Sequence, residues 1–444
     1  MNVLEMNEIG KFIRKIRKER GLRLEDLSDE HISTATISNI ERGVPHVNKE
    51  KVLYLLSKLN IDINEIPELM EKDSENMESL QLKFTAVETM IEIGNEGGAL
   101  RYLSEILEES PSSHPATVHF LKGKCYAGKK DWRKAEREFG EAIRLSYQDA
   151  YSQKTNLEAI SYEHLAECRS AQNDWEQALK FAERGLEVFQ EGASGYDQVQ
   201  YSLMMNRVVY LDRLGRVDEA QKSLDELWSF IPHIQNQGVL LRMYALRADL
   251  FRRMKLYHDA VRYAREGIRI AAASKNYDGM FRLWNILGIA YMELSDWEDA
   301  ETCFEFIMNL KDRISNKKEM IQVYCSLGHL YLLQQKWVRA QEILEQAVKW
   351  GEELEDDAEL SLALFMMGRL LKEKKQYSEA VSYLKRSVYL AEKNKLAERV
   401  CAGYYEIAQC HEQSGNRDEL RDTTEKLYQS QKQLRLNPGL TSKW

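Results

Sequence analysis

The feature that most limits how this chain can fold is an internal repeat. Its clearest unit is Trp284-x-x-Leu287-Gly288-x-x-Tyr291 followed by Ala300-x-x-x-Phe304. Ala300 has counterparts at Ala99, Ala135, Ala178, Ala220, Ala260, Ala340 and Ala380, with Leu420 in the last register; the steps are 36, 43 and 42 and then a constant 40. A second small position recurs upstream of it, at Gly123, Gly288, Gly328 and Gly368, with Ala166, Ala248 and Ala408 as substitutes. Trp132, Trp175, Tyr257, Trp297, Trp337 and Tyr377 each stand three residues before the small residue. Paired small residues let two helices approach, and the large ones fill the gaps beside them. A unit of this kind cannot bury its apolar face alone, so the units must stack.

This spacing is that of tetratricopeptide repeats, and a period of 40 implies longer helices of the same architecture. The expected fold class is all-α: a small five-helix DNA-binding domain followed by a right-handed superhelix of about nine tetratricopeptide-like helix pairs. Pro111, Pro115 and Pro232 are expected between units, where a chain break is tolerated. The domains read as 1–70, a helix-turn-helix; 71–80 (EKDSENMESL), a polar linker; 81–430, the repeat domain; and 431–444, a C-terminal tail.

The first block reads as five short helices. Ile9, Phe12, Ile13 and Ile16 give one face of a helix that ends at Gly21, and an amphipathic stretch, Leu22–Glu30, follows. Ser33 is the N-cap candidate of the next helix, whose Ile37 and Ile40 face inward. Lys49–Leu59 and Asp62–Met70 complete the set, split at Asn60. The helix after Ser33 is expected in the major groove. Its candidate DNA contacts are Arg23, Ser33, Thr34, Ala35, Thr36, Ser38, Asn39 and Arg42. Short polar side chains suit base edges, Ala35 suits a thymine methyl, and Asn39 and Arg42 suit bases or phosphates. The net charge of −9 does not oppose this. Residues 1–70 are nearly balanced, and seven basic residues fall between Lys11 and Arg23, where they add phosphate contacts.

Gly21 to Gly43, with Leu27 and the ending Ile37-Ser38-Asn39-Ile40-Glu41-Arg42-Gly43, resembles the lambda-repressor-type (Xre) helix-turn-helix family. The family often opens its second helix with a polar phosphate-binding residue. Leu24 stands there in this chain, and Arg23 is the candidate substitute. Fusion of this domain to helix pairs resembles the peptide-receptor regulators of Gram-positive bacteria, the Rap/Rgg/NprR/PlcR/PrgX group, with a length closest to the NprR type. That resemblance implies a cytoplasmic quorum-sensing regulator, a homodimer on double-stranded operator DNA, gated by a short signalling peptide.

The repeat register adds candidates for the peptide. Positions 2, 5, 6 and 9 of each first helix point to the concave side, giving Asn206, Arg242, Asp249, Arg282, Asn285, Gln322, His329 and Arg369. Amides clamp an extended peptide backbone, and arginines pair with carboxylates. Inter-repeat hydrogen bonds are the structural alternative for any one of these residues. Met205, Phe365 and Tyr405 are expected to form apolar pockets beside them.

A response-regulator-docking protein that promotes dephosphorylation, as Rap relatives do, is the second reading; a passive repeat scaffold is the third. No P-loop, GxGxxG, GxSxG or HExxH motif is present, so no catalytic or metal residue and no cofactor is expected, and the chain reads as a non-enzyme. The six cysteines form no CxxC pair and read as free thiols of a reducing compartment. No apolar run long enough to span a membrane occurs, and no leader segment is evident.

Overall fold

The computed structural model describes residues 3–44, 47–62, 66–109, 114–147, 155–193, 196–314 and 317–436. Apart from turns and one short 3-10 segment, Ile231–His233, every element among them is an α-helix. The chain divides into two compact units, Met1–Pro111 and Ser112–Trp444.

The first unit opens with α1 (Val3–Glu19), α2 (Leu24–Leu27), α3 (Thr34–Glu41) and α4 (Lys49–Lys58). Gly21 ends α1 at φ +68°, and the amide of Leu22 reaches back to the carbonyl of Arg17. Ser33 caps α3 by accepting from the amide of Thr36 at 3.2 Å. Ile13, Ile37, Ile40, Leu55, Leu56 and Leu59 make the core, all at 2% exposure or less. Gly10 lies where α1 meets the end of α3; a Cβ there would stand 2.2 Å from the carbonyl oxygen of Ile40. Beside it Arg17 and Glu41 form a buried two-pronged pair at 2.6 and 2.9 Å, and Arg17 also donates to the carbonyl of Leu22.

The expected linker is helical. Helix α5 (Ile66–Glu92) runs unbroken through 71–80, from Ile66 in the helix-turn-helix core to Val87, which is buried, and then pairs with α6 (Glu96–Glu109). The fifth short helix expected over Asp62–Met70 is therefore the beginning of α5. Residues 71–80 contain neither Gly nor Pro, and a polar, charged composition serves a solvated helix as well as a linker.

The second unit is eight helix pairs, which α5 and α6 bring to the expected nine among the described residues. The first helix of each pair (helix A) is α7 (Pro115–Gly128), α9 (Leu157–Ala171), α11 (Val199–Arg213), α13 (Gln237–Arg253), α15 (Tyr277–Glu293), α17 (Glu319–Leu333), α19 (Asp357–Glu373) and α21 (Ala397–Ser414). The second (helix B) is α8 (Trp132–Ser146), α10 (Trp175–Val188), α12 (Val217–Trp228), α14 (Tyr257–Ala273), α16 (Trp297–Asn309), α18 (Trp337–Glu353), α20 (Tyr377–Lys393) and α22 (Arg417–Leu436). All eight alanines of the recurring small position are at 0% exposure, whereas Leu420 is half-buried. At Gly328 and Gly368 an added Cβ would stand 2.5 Å from Leu344 and Leu384, the residues that fill the gap. The recurring Trp or Tyr is the first residue of six of the eight B helices; Val217 opens α12 and Arg417 opens α22.

A left-handed backbone residue precedes each of these B helices by two positions: Lys130, Asn173, Lys255, Ser295, Gln335 and Lys375, with φ near +60°, and Gly215 and Gly415 in the same register. Pro115 is the first residue of α7 and Pro232 lies in the 3-10 turn; Pro111 lies outside the described residues. The tail read as 431–444 begins inside α22, and 437–444 lie outside the described residues. All six cysteines are free, five of them buried. Among the described residues no helix is long and apolar enough to cross a membrane.

Candidate DNA-binding face and candidate peptide groove

The helix-turn-helix face is built around α3. Burying Ile37, Ile40 and Glu41 turns the opposite side of this helix outward, so Thr34, Ala35, Thr36, Ser38, Asn39 and Arg42 are all at least partly exposed. Two of the expected contact residues have a local task as well: the Ser33 hydroxyl is 2.9 Å from that of Thr36, which closes the cap. Arg42 donates to Asn39 Oδ1 at 2.5 Å, so the two side chains are presented as one polar group. Arg23 is exposed at the start of α2, where its backbone amide donates to Asp26.

The turn before α3 is fixed from behind. Asp29 accepts from the Tyr54 hydroxyl at 2.6 Å, pairs with Lys58 at 2.5 Å and takes the amides of His31 and Ile32. Lys58, then Tyr54, hold its carboxyl well below the usual range. Sequence reasoning passed over this cluster because its members, 29, 54 and 58, come together only when α4 packs.

In the second unit, A helices of consecutive pairs touch one another, whereas no two B helices make a comparable contact among the described residues. The A helices therefore line the inner surface of the superhelix and the B helices its outside. The eight expected residues are all on A helices, and most are joined to the next repeat. Arg242 donates to Asn206 Oδ1 at 3.2 Å, Arg282 pairs with Glu319 at 3.1 Å, Gln322 donates to Glu359 at 2.7 Å, and Arg369 pairs with Glu406 at 3.4 Å. Asp249 instead holds Arg252 and Arg253 of its own helix, at 2.8 and 3.2 Å. His329 is half-buried; burial and then Arg369 drive its pKa down to about 4, so it is neutral at ordinary pH.

Among the eight expected residues, two amide atoms are enclosed without a hydrogen-bond partner: Asn206 Nδ2 and Asn285 Oδ1. Asn206 itself is at 3% exposure, wedged between A helices. Met205 and Phe365, expected in open pockets, are also core residues, at 1% and 3%. Position 5 of the unit faces the neighbouring A helix, so large apolar groups there are consumed by packing between repeats. Of the three, Tyr405 alone is exposed.

The inner surface also holds charges that register reading omitted. Glu163 and Glu167 of α9 stand at positions 5 and 9, two repeats before Arg242, and carrying the same register further toward the N-terminus finds them. Burial, then Glu167, pushes the Glu163 carboxyl up to about 7. The Glu167 side chain is half exposed; desolvation by the surrounding groove works against its ionised form too, but His164 (2.8 Å) and Arg242 hold it below the usual range. Burial depresses the pKa of Arg242, and Glu167 and Glu163 oppose that shift. Burial likewise lowers the pKa of Arg213 in α11, and Asp249 and, more weakly, Glu359 of α19, four repeats on, oppose that shift.

Comparison with known proteins agrees with both halves. A helix-turn-helix family model matches residues 13–66, and a tetratricopeptide repeat model matches 114–191, 279–349 and 319–393. Comparison with curated proteins gives no match. Among solved structures, a Rap protein complexed with Competence and Sporulation Factor superposes with a TM-score of 0.59 at 13% identity, over 81% of this chain and 99% of that one. The apo form of the quorum sensor NprR from B. thuringiensis superposes with a TM-score of 0.59 at 14% identity, over 74% and 96%. Aspartyl phosphate phosphatase F from Bacillus subtilis gives 0.53 at 15% identity, over 82% and 95%.

Proposed function

We propose that this chain, an Xre-type helix-turn-helix protein with a tetratricopeptide superhelix of the Rap and NprR fold, is a transcriptional regulator gated by a short peptide. The observation that carries this reading is the polar inner surface. Its charged and amide side chains are tied one repeat to the next, and the enclosed Asn206 Nδ2 and Asn285 Oδ1 remain unsatisfied. A buried polar atom without a partner costs about 1–3 kcal/mol, which a peptide amide or carbonyl recovers on binding once the neighbouring side chains shift to admit it.

The same surface supplies a route from ligand to DNA. The Asn206–Arg242, Arg282–Glu319, Gln322–Glu359 and Arg369–Glu406 contacts each bridge adjacent repeats. A peptide that takes over one partner of such a pair changes the angle between those repeats, and small changes add along a quasi-one-dimensional array. In a homodimer this resets the separation of two α3 helices against half-sites about 34 Å apart. The peptide shifts that equilibrium only by its difference in affinity for the two forms.

The test is selection of DNA fragments by the full-length protein, with and without the small-peptide fraction of spent medium. An enriched near-palindromic site, lost in Asn39→Ala/Arg42→Ala and shifted by peptide, is the expected result. Arg282→Ala and Asn285→Ala are expected to weaken the peptide response by about tenfold or more, roughly 1.4 kcal/mol, while selecting the same DNA. No enrichment in either arm, together with phosphate release from an added response regulator, would overturn the reading and reassign the array to protein docking.

A further inference from the structure

In a repeat protein, residues that serve the stacking recur at each period, so a cluster in which several positions depart from the period together points to a local role. The outer face of the second unit carries one such group. Between α14 and α16, over α15, lies a pocket of about 410 Å³. Cys303 leaves it open, because the same register in α14, α18 and α20 is filled by Tyr263, Ile343 and Tyr383. Burial pushes the Cys303 thiol up to about 12, so it is a small neutral wall and not a nucleophile.

The floor is Ile268, Trp284 and Leu287. Trp284 leans on Phe306, with ring centroids 4.7 Å apart, and Phe306 is 37% exposed where the equivalent positions are Glu266, Gln346 and Arg386. One wall is a pair of guanidiniums a single turn apart on α14, Arg265 and Arg269. In α16, α18 and α20 those positions hold Glu305 with Asn309, Glu345 with Lys349 and Lys385 with Tyr389, so the paired guanidiniums are particular to α14 among these four. Arg265 is oriented by donating to the Tyr291 hydroxyl and lies 5.7 Å from the centroid of that ring. Arg269 is exposed and forms no ion pair among the described residues. The opposite wall carries Asp299 and Thr302; the Thr302 hydroxyl donates to the carbonyl of Glu298 and keeps its lone pairs for a donor from outside.

We infer that this pocket docks an acidic segment of a partner protein: a carboxylate side chain on Arg265 and Arg269, the neighbouring apolar side chain on Trp284 and Leu287. The argument is charge complementarity. Two arginines beside an aromatic floor form a basic island on a chain of net charge −9, and arginine takes a carboxylate in a two-pronged geometry. Asp299 and Thr302 accept the segment's backbone amides, and Asp299 also repels a second acid, which fixes the direction of the chain. Open to solvent on the B-helix side, the pocket suits one stretch of an extended chain and is separate from the inner groove.

The probe is a fluorescein-labelled peptide, Gly-Glu-Leu-Phe-Gln-Ser-Gly, and its counterpart with Gln for the Glu, titrated against the full-length protein by fluorescence anisotropy. The acidic peptide is expected to bind about tenfold tighter than the Gln form. Arg269→Glu and Cys303→Tyr are each expected to weaken it by about tenfold or more. Cys303→Tyr installs the residue α14 and α20 already use at that register, and thermal melts report whether each variant folds. Lys349→Glu makes the same charge change at the equivalent site of α18 and is expected to bind as wild type. Equal affinity for the two peptides, or undiminished binding in both folded variants, overturns the assignment. Binding of phenylpropionate, measured by calorimetry and lost in Arg269→Glu, with no binding of the peptide overturns the protein-segment reading in favour of a small carboxylate. Since no groove residue is altered, none of these results depends on the peptide-gating reading.

Discussion

At the residue scale, the inner surface contains two groups whose titration acts on stability in opposite directions. Glu163 holds its proton up to about 7, whereas an unfolded glutamate releases it near about 4.3. The folded state binds that proton more tightly, so this contribution is full below about pH 4.3 and lost as pH rises through about 7. His329 is the reverse. Its pKa falls to about 4 in the fold from about 6.5 in the unfolded chain, so its contribution is full above about 6.5 and lost as pH falls through about 4. Glu163→Gln is therefore expected to melt several degrees above wild type at about pH 8 and level with it at about pH 4. Circular dichroism melts at the two pH values decide it; an offset independent of pH would refute the assignment. In the helix-turn-helix, Arg17 and Glu41 are both buried, with side-chain exposures of 10% and 5%. Glu41→Ala leaves a buried guanidinium uncompensated and is expected to cost about 3–5 kcal/mol, read as a lowered urea midpoint of the first unit.

At the scale of elements, the tightest contact is that of α1 with the end of α3. Gly10→Ala puts a carbon 2.2 Å from the Ile40 carbonyl, and since that atom is backbone, the helices must separate. DNA affinity is expected to fall with stability in that variant, because α3 then loses its support; full affinity would show that its pose does not rest on α1. The turns between helices A and B offer a change of the other sign. Gln335 and Lys375 adopt φ +59°, where Gly215 and Gly415 stand in the same register. Relief of left-handed strain makes Gln335→Gly stabilising by about 0.5–1 kcal/mol, with a higher melting midpoint as the readout. Such a turn is invisible to pattern reading, since six different units hold it with Lys, Asn, Ser or Gln in place of Gly.

On the whole-molecule scale, the ties between repeats set how the array responds to a ligand. Cutting one of them, by Gln322→Ala, is expected to loosen the junction of α17 with α19 and make the superhelix more extensible. Small-angle scattering is expected to show a smaller difference between peptide-bound and free protein, because part of the change has already occurred. An unchanged difference would mean that these ties do not carry the response. The expected linker illustrates a limit at this scale. Polar residues over 71–80 signalled a break, yet α5 continues through them, because nothing in that composition opposes helical hydrogen bonding and Ile66 and Val87 anchor the two ends.

The sequence by itself determined the helix pairs, their register and the outward face of α3. Those follow from the spacing of small and large residues along the chain, a local property that survives without knowledge of neighbours. It determined less of the groove. Met205, Phe365 and Asn206 share the inner register with Asn285 and Arg242, and only packing decides which of these side chains are used up between repeats. Tertiary structure alone decided the Arg17–Glu41 pair, the Asp29–Tyr54–Lys58 cluster and the partner-free amide atoms. Each depends on distances between residues far apart in sequence, and burial and electrostatic energy follow distance in space.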